Sequence, residues 1–317
     1  MPLHHQVAEM LSERRRDPTP PLYELSLAQA RANDLASVRA GGGTARPVGE
    51  VRSLTLPGPA GDLPARLYRP AGAGPFPVLL YLFGGGWTLG TLDTCDGVCR
   101  QLCADASCLV MSVQYRTAPE HPFPAAPQDS YAAAAWLAEH AAEFGGDPAR
   151  LAVAGDSSGG NLTAAVTLLA RERGGPALRC QVLVYPNTDY RADTASRRDI
   201  DDRAMFNRHS VNWYWAHYLS DPADGDNPLA SPLRAVTLHG LPPALVISAE
   251  FDPLRDEAEA YAHRLRAEGV PVTLTRYDGM VHGFFTMPGK LDDARRAVAE
   301  VCGFLREHLA EASTDGA

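Results

Sequence analysis

The sequence predicts an α/β protein in which a doubly wound, mostly parallel sheet of eight strands is joined to a helical cap. Strand-like and helix-like segments alternate after Glu50, which is the pattern of a sheet covered by helices on both faces. Most strands from the third onward are continuous apolar runs, as expected for strands that are buried on both sides. Two segments, residues 1–50 and 188–232, stand outside the alternation, and we expect them to form the cap.

The first 50 residues contain two amphipathic patterns. Apolar residues recur at helical spacing from Leu3 to Leu11 and again from Leu27 to Val38. The sequence SLAQ opens the second pattern and has the form of a capping box, in which a serine and a glutamine three residues apart cap the helix start. We therefore predict two helices and assign residues 1–50 as an N-terminal helical cap segment.

A chain of 317 residues favours one large domain with an insertion over two equal ones. We assign residues 51–317 as this main domain, and all the predicted strands lie in it. The predicted strands are Val51–Leu56, Ala65–Tyr68, Val78–Leu82, Leu109–Gln114, Leu151–Ala154, Gln181–Tyr185, Ala244–Ser248 and Val272–Arg276. The predicted helices of this domain are Thr94–Ala104, Ala125–Phe144, Gly159–Arg173, Pro253–Glu268 and Leu291–Leu309.

A long insertion follows the sixth predicted strand, polar in its first half and aromatic in its second. Structureless insertions of this length are rare in compact domains unless they act as lids over a site. We therefore predict that residues 188–232 form a helical cap or loop insertion, in which Phe206, Trp213 and Trp215 offer apolar surface to a ligand. The alternative is that these aromatic residues only pack on the domain.

Composition and charge exclude several classes of function. A hydrophobic content of 45% and a charged content of 21% are those of a soluble globular protein, and a net charge of -9 leaves no basic excess for nucleic acid. No apolar run has the length of a signal-peptide core or a transmembrane helix, so we expect a cytoplasmic protein without a membrane partner. Six cysteines, three of them at helical spacing without a nearby histidine, are expected to be reduced and structural.

The sequence GDSSGG lies between a predicted strand and a predicted helix. Gly155, Ser157 and Gly159 fit the pattern G-x-S-x-G, whose sharp turn lifts a serine hydroxyl above the sheet in this context. The register selects Ser157 rather than Ser158 as a nucleophile. The alternative is a Ser/Gly turn that only caps the following helix.

A serine nucleophile needs a base, and the base needs a third group that orients it. In doubly wound hydrolases the acid and then the histidine follow the serine along the chain, on loops after later strands. Asp252 follows the apolar strand in VISAEFDPLRDE, and His282 follows the last strand in YDGMVHGFF. These two residues are therefore the predicted orienting acid and base.

Other titratable residues compete for these roles. Asp256 is expected on the following helix, pointing away, and Glu250 precedes the turn. His239 lies before a strand, at the wrong edge of the sheet for catalysis, and His121 lies in a proline-rich loop.

The stretch LLYLFGGGWTLG joins an apolar strand to three consecutive glycines. Attack on an ester carbonyl creates an oxyanion, and backbone N–H groups reach it only where no side chains intervene. We expect Gly85 and Gly86, together with the N–H group of Ser158, to form this oxyanion hole. The alternative is a flexible glycine turn.

Together these residues resemble the hormone-sensitive-lipase-like esterases, or bacterial family IV, of the α/β-hydrolase fold. The motifs FGGGWTLG, YRTAPEHPFPAA, GDSSGGNL, YPNTD, DPLRDE and DGMVHGF occur in family order, from about Leu67 to the C-terminus. The resemblance implies a hydrolase of carboxylic esters with a cap built from the N-terminal segment, no metal or cofactor, and frequently a homodimer. Phe83 stands where the family usually has histidine, and it either packs as a spacer or marks a specialised pocket.

These observations lead to three hypotheses on function. The leading one is a serine carboxylesterase acting on small, short-acyl esters through Ser157, His282 and Asp252. The second is a tailoring hydrolase or cyclase of secondary metabolism, and the third is a noncatalytic small-molecule receptor on the same fold. The residues expected to contact substrate are Phe83, Trp87, Asp156, Phe206 and Trp213.

Overall fold

An eight-stranded sheet runs through the middle of the protein, whose computed structural model describes residues 2–311. The strands are β1 (Glu50–Gly58), β2 (Gly61–Arg69), β3 (Phe76–Leu82), β4 (Leu109–Val113), β5 (Gly146–Asp156), β6 (Cys180–Val184), β7 (Ala244–Phe251) and β8 (Val272–Val281). All eight predicted strands are confirmed, although β5 begins earlier and β8 ends later than predicted.

The strand order is β1-β2-β4-β3-β5-β6-β7-β8, and every pair from β4 to β8 is parallel. β1 and β2 pair antiparallel, as do β2 and β4. All residues of β4 and β6 are buried, because helices cover both faces of the parallel part, whereas the edge strand β1 is largely exposed. The carboxyl ends of the parallel strands meet at one edge, so the segments after β3, β5, β7 and β8 converge there.

Nine α-helices lie in the described range. They are α1 (His5–Arg16), α2 (Leu27–Gly41), α3 (Asp96–Ala106), α4 (Ala125–His140), α5 (Ser158–Arg173), α6 (Ala195–Asp199), α7 (Arg208–Tyr218), α8 (Arg255–Ala267) and α9 (Asp292–His308). α3 packs against α9, and α4 packs against α5. The predicted helix over residues 125–144 ends as an α-helix at His140 and continues as the 3-10 turn Ala141–Phe144.

The N-terminal segment and the insertion contact each other. The predicted capping box is present at the start of α2, where the Ser26 N–H group donates to Gln29 Oε1 at 3.1 Å. Arg203 of the insertion pairs with Glu24 at 2.6 Å, and Arg15 of α1 pairs with Asp202. Ion pairs thus join the two parts of the chain that stood outside the strand–helix alternation.

The six cysteines are all buried and unpaired, as predicted. Through residues 2–311, no helix has both the length and the apolar composition to cross a membrane. The same range contains no group of three or more His, Cys, Asp or Glu side chains arranged to hold a metal ion.

Candidate active site

Ser157 occupies the turn between β5 and α5, at the edge of the sheet where the strands end. Its backbone angles, φ 56° and ψ -122°, lie in a region that non-glycine residues rarely adopt. The turn requires glycine nearby, since a Cβ atom on Gly159 would lie 1.9 Å from the carbonyl oxygen of Leu82 in β3. This close packing holds the serine in the geometry of a nucleophile elbow.

His282 and Asp252 each follow directly on the last residue of a strand, β8 and β7 respectively. His282 Nε2 lies 2.9 Å from Ser157 Oγ, and His282 Nδ1 lies 2.7 Å from Asp252 Oδ2. Asp252 is fully buried, and its Oδ1 accepts a hydrogen bond of 2.8 Å from the Leu254 N–H group. The carboxylate is therefore fixed and can hold the imidazole with Nε2 directed at the serine.

The competing residues have other partners. Asp256 accepts from the Ser196 N–H group at 2.8 Å and pairs with Arg255, and Glu250 accepts from the Gly279 N–H group at 2.7 Å. His239 lies before β7 and therefore at the opposite edge of the sheet from His282. The structure thus brings together Ser157, His282 and Asp252.

The glycine loop follows β3 and lies beside the serine. The Gly85 carbonyl accepts from the N–H groups of Thr88 and Leu89, which fixes the loop as a turn. No acceptor within residues 2–311 engages the N–H groups of Gly85, Gly86 or Ser158. Three free amides close to a serine hydroxyl are donors of the kind that can stabilise a developing oxyanion.

Phe83 packs beside this loop. Its ring stacks on Tyr115 with 4.4 Å between centroids, its carbonyl accepts from the Tyr115 hydroxyl at 2.9 Å, and it lies close against Gly90. The side chain is almost fully buried and belongs to the wall of the cavity described next. Phe83 therefore packs behind the loop and also borders the cavity, so its position is compatible with both alternatives.

A cavity of about 120 Å³ opens above Ser157. Its wall includes Phe83, Asp156 and Phe206, three of the five residues expected to contact substrate. The Phe206 ring stacks on the His282 ring with 4.1 Å between centroids. The remaining wall residues are Asp34, Val38, Tyr81, Gly84, Gly85, Gly86, Thr94, Cys95, Val98, Ser157, Tyr185, Tyr214, His282, Gly283 and Thr286.

Trp87 and Trp213 do not line this cavity, which corrects the sequence-based expectation. Trp87 is fully buried and stacks on Tyr218 at 4.1 Å, so it packs the interior. Trp213 lies against His217, while its neighbour Tyr214 covers Gly86, where a Cβ atom would lie 1.9 Å from the tyrosine ring. Successive helix residues point about 100° apart, so α7 directs Tyr214 toward the site and the preceding Trp213 away from it.

Two carboxyl groups set the electrostatics of the cavity wall. Asp156 Oδ1 accepts hydrogen bonds from the Tyr81 hydroxyl at 2.7 Å and from the Gly84 N–H group at 3.0 Å, while burial raises the pKa of this carboxyl. Burial, with the negative charge of Asp156 nearby, raises the pKa of Asp34 to about 7. The sequence-based candidates did not include Asp34, Tyr185 or Tyr214.

Comparisons with known proteins show that the chain is similar to ester hydrolases. A family model for the alpha/beta hydrolase fold matches residues 79–286. LipN, a carboxylic ester hydrolase of Mycobacterium tuberculosis, is 47% identical over 266 residues, which are 82% of this chain and 71% of LipN. An ethyl acetate hydrolase of Pseudomonas putida is 39% identical over 255 residues, which are 78% of this chain and 79% of that protein.

A solved structure gives the same result over nearly the whole chain. The hyperthermophilic esterase from the archaeon Pyrobaculum calidifontis superposes with a TM-score of 0.92 at 37% identity, covering 97% of this chain and 99% of that one. A noncatalytic receptor is therefore excluded. The chain belongs to the hormone-sensitive-lipase-like esterases, family IV of the α/β-hydrolase fold, and is a carboxylic ester hydrolase.

Proposed function

We propose that this enzyme hydrolyses small, short-acyl carboxylic esters through a Ser157–His282–Asp252 triad and an acyl-enzyme intermediate. The observation that carries the proposal is the chain of two hydrogen bonds, 2.9 and 2.7 Å long, that links the three side chains beneath the cavity. A serine hydroxyl is a weak nucleophile until an oriented base accepts its proton, and this arrangement supplies such a base.

In the first half of the reaction Ser157 Oγ attacks the ester carbonyl carbon while His282 Nε2 takes its proton. Asp252 holds the imidazole in the required tautomer and stabilises the imidazolium that forms. The N–H groups of Gly85, Gly86 and Ser158 stabilise the oxyanion. The imidazolium then protonates the alkoxide of the leaving alcohol, and the C–O bond of the ester breaks.

In the second half a water molecule attacks the acyl group on Ser157. His282 accepts a proton from this water, the oxyanion forms again at the same amides, and the bond from the acyl carbon to Ser157 Oγ breaks. The carboxylic acid leaves, and the serine regains its proton from the imidazolium. Side chains and backbone amides of this chain carry out every step.

The size of the cavity supports the choice of substrate class. A volume of about 120 Å³ suits a short acyl chain, and Phe206 and Tyr214 close it from the insertion side. The relative from P. putida is named for the hydrolysis of ethyl acetate, a small ester of this kind.

The first prediction tests the nucleophile together with the acyl preference. Ser157→Ala should lower kcat on p-nitrophenyl acetate by about a millionfold, because removal of a triad nucleophile eliminates a step that the other groups cannot replace. Ser158→Ala is the matched control and should do far less, since only its backbone N–H group is needed. The wild-type rate should fall as the acyl chain lengthens from acetate to octanoate.

Two results would contradict the proposal. Near-normal turnover by Ser157→Ala would eliminate the triad assignment. An enzyme that accepts none of the simple esters, with a folded active site, would favour the alternative of a tailoring hydrolase or cyclase for one specialised substrate.

We further propose that residues 1–50 and part of 188–232 act as the cap, and that the enzyme works in the cytoplasm as a homodimer. Six buried, unpaired cysteines support a reducing compartment. Cell fractionation and light scattering of the purified protein test these two points; a periplasmic or secreted enzyme, or a monomer, would contradict them.

A further inference from the structure

Two carboxyl groups of the cavity wall have oxygen atoms that no protein donor occupies. Asp156 uses Oδ1 for both of its hydrogen bonds, and its Oδ2 lies against Gly84, where a Cβ atom would approach it to 2.4 Å. Within residues 2–311 no group donates to Asp156 Oδ2 or to either oxygen of Asp34. Asp156 is buried and Asp34 is partly exposed, and both line the cavity, so a ligand that enters the cavity can supply the donors that these oxygens lack.

Asp34 reaches the cavity because of its position on α2. Ala30, Asp34 and Val38 follow one another at intervals of four residues, so they share the face of the helix that turns inward. Ala30 is buried, and Val38 lines the cavity beside Asp34. A carboxyl group therefore stands where the amphipathic pattern would place an apolar residue.

Neighbouring cations do not neutralise Asp34. Arg31 makes two contacts of 2.7 Å with Glu120 and donates to the Thr88 carbonyl, and Arg39 pairs with Asp93. The described part of the cavity wall contains no lysine or arginine. Its other titratable groups are the catalytic His282, Cys95 and three tyrosines, which leaves the two carboxyls as the charged feature that faces the substrate.

We propose that Asp34 and the free oxygen of Asp156 bind a positively charged amine of the substrate, so that the preferred esters carry an ammonium group a few bonds from the scissile carbonyl. This inference rests on the proposed esterase function at the same cavity. An ammonium group has several N–H donors and a charge opposite to both carboxyls, whereas a hydroxyl group has one donor. The raised pKa of Asp34 agrees, since desolvation and, after it, the nearby charge of Asp156 disfavour the ionised carboxylate until a cation binds.

Two pairs of isosteric esters, followed in a pH-stat at pH 7.5, test the proposal on both sides of the ester bond. β-Alanine ethyl ester and ethyl butanoate differ by an ammonium group in place of a methyl group in the acyl part. 2-(Dimethylamino)ethyl acetate and 3-methylbutyl acetate differ by a protonated nitrogen in place of a CH group in the alcohol part. In the wild type we expect the cationic member of at least one pair to have the higher kcat/KM by about tenfold or more.

Asp34→Asn should remove most of this preference, so that the ratio of kcat/KM between the cationic and the neutral member falls toward one, because the amide keeps the shape and loses the charge. Glu13→Gln, at an exposed carboxylate of α1, is the matched control and should leave both ratios unchanged. If Asp34→Asn lowers the melting temperature, Asp34→Ser serves as the second variant. Calorimetric titration of the Ser157→Ala protein adds a readout that needs no turnover, and it should show tighter binding of the cationic ester of the preferred pair.

Two outcomes would overturn the inference. In one, the wild type shows no cationic preference in either pair. In the other, Asp34→Asn lowers the rates of both members equally, which would mean that Asp34 acts on the catalytic groups rather than on the substrate. Failure of the proposed function has a different signature, namely retained hydrolysis of ethyl butanoate by Ser157→Ala.

Discussion

Asp252 has the position and burial required to orient His282, and this sets the second prediction. Asp252→Asn should lower kcat by about ten-thousandfold, the loss known for the equivalent change in a serine protease, because the amide donates to Nδ1 and favours the wrong tautomer. The variant should keep its fold, as the amide oxygen can still accept from the Leu254 N–H group. Turnover of p-nitrophenyl acetate and a thermal melt measure the two effects.

Asp256→Asn is the control for this change, since its carboxylate bonds to the Ser196 N–H group and Arg255 instead. Its expected effect on kcat is less than about tenfold. A larger loss for Asp256→Asn than for Asp252→Asn would show that the orienting role lies on α8 rather than in the turn after β7.

Residue by residue, the sequence predicted the parts of the site that depend on strand ends. Asp252 and His282 could be selected because catalytic groups follow the carboxyl ends of parallel strands, and apolar runs mark those ends. Tyr214 could not be selected over Trp213, since the choice depends on the rotation of α7 about its axis. Asp34 did carry a signal, because it is a charged residue on an apolar helical stripe.

At the scale of elements, Glu257 joins α8 to the segment after β6 and gives the third prediction. Its Oε1 accepts from the N–H groups of Thr188 and Asp189, its Oε2 is buried without a donor in the described range, and burial raises the pKa of the carboxyl to about 8. The pKa of Glu257 is higher in the folded protein than in the unfolded one, so protonation of this carboxyl stabilises the fold. The stabilisation is fully present below about pH 4.5 and is lost as the pH rises to about 8.

Glu257→Gln should therefore become more stable relative to the wild type across that range, by about 1 to 3 kcal/mol at its upper end. The amide oxygen can accept the same two N–H groups, and no charge remains to be buried. Urea unfolding at pH 5 and pH 8.5 measures the difference. An advantage of the variant that is equal at both pH values, or larger at pH 5, would contradict this linkage.

The elements themselves were predictable where a pattern extends over several residues. Buried parallel strands have continuous apolar runs and α2 has a capping box, so both appear within a few residues of their predicted positions. The sequence alone did not divide the insertion into α6 and α7, because α6 spans only five residues and its start depends on the Thr194 side chain. Contacts with α8, such as the Ser196–Asp256 hydrogen bond, fix that short helix.

Across the whole molecule, the N-terminal segment packs against the part of the fold that carries Ser157, Asp252 and His282. Val7 and Leu11 of α1 are buried in the main hydrophobic core, and the His4 N–H group donates to Gly279 of β8. At the end of α2, the Gly41 carbonyl accepts from the Gly289 N–H group. The N-terminal segment is therefore part of the packed structure and, through Asp34 and Val38, part of the cavity wall.

Deletion of residues 1–40 tests whether this segment is a cap. We expect lower solubility, since the core surface beneath α1 becomes exposed, and lower kcat/KM on short-acyl esters with weaker discrimination against longer ones, since the wall formed by α2 is lost. Deletion of residues 1–19 is the matched control, because it removes α1 and keeps α2, so it should lower stability and retain the acyl-length profile. An unchanged profile in the longer deletion would mean that the body of the enzyme alone sets substrate size.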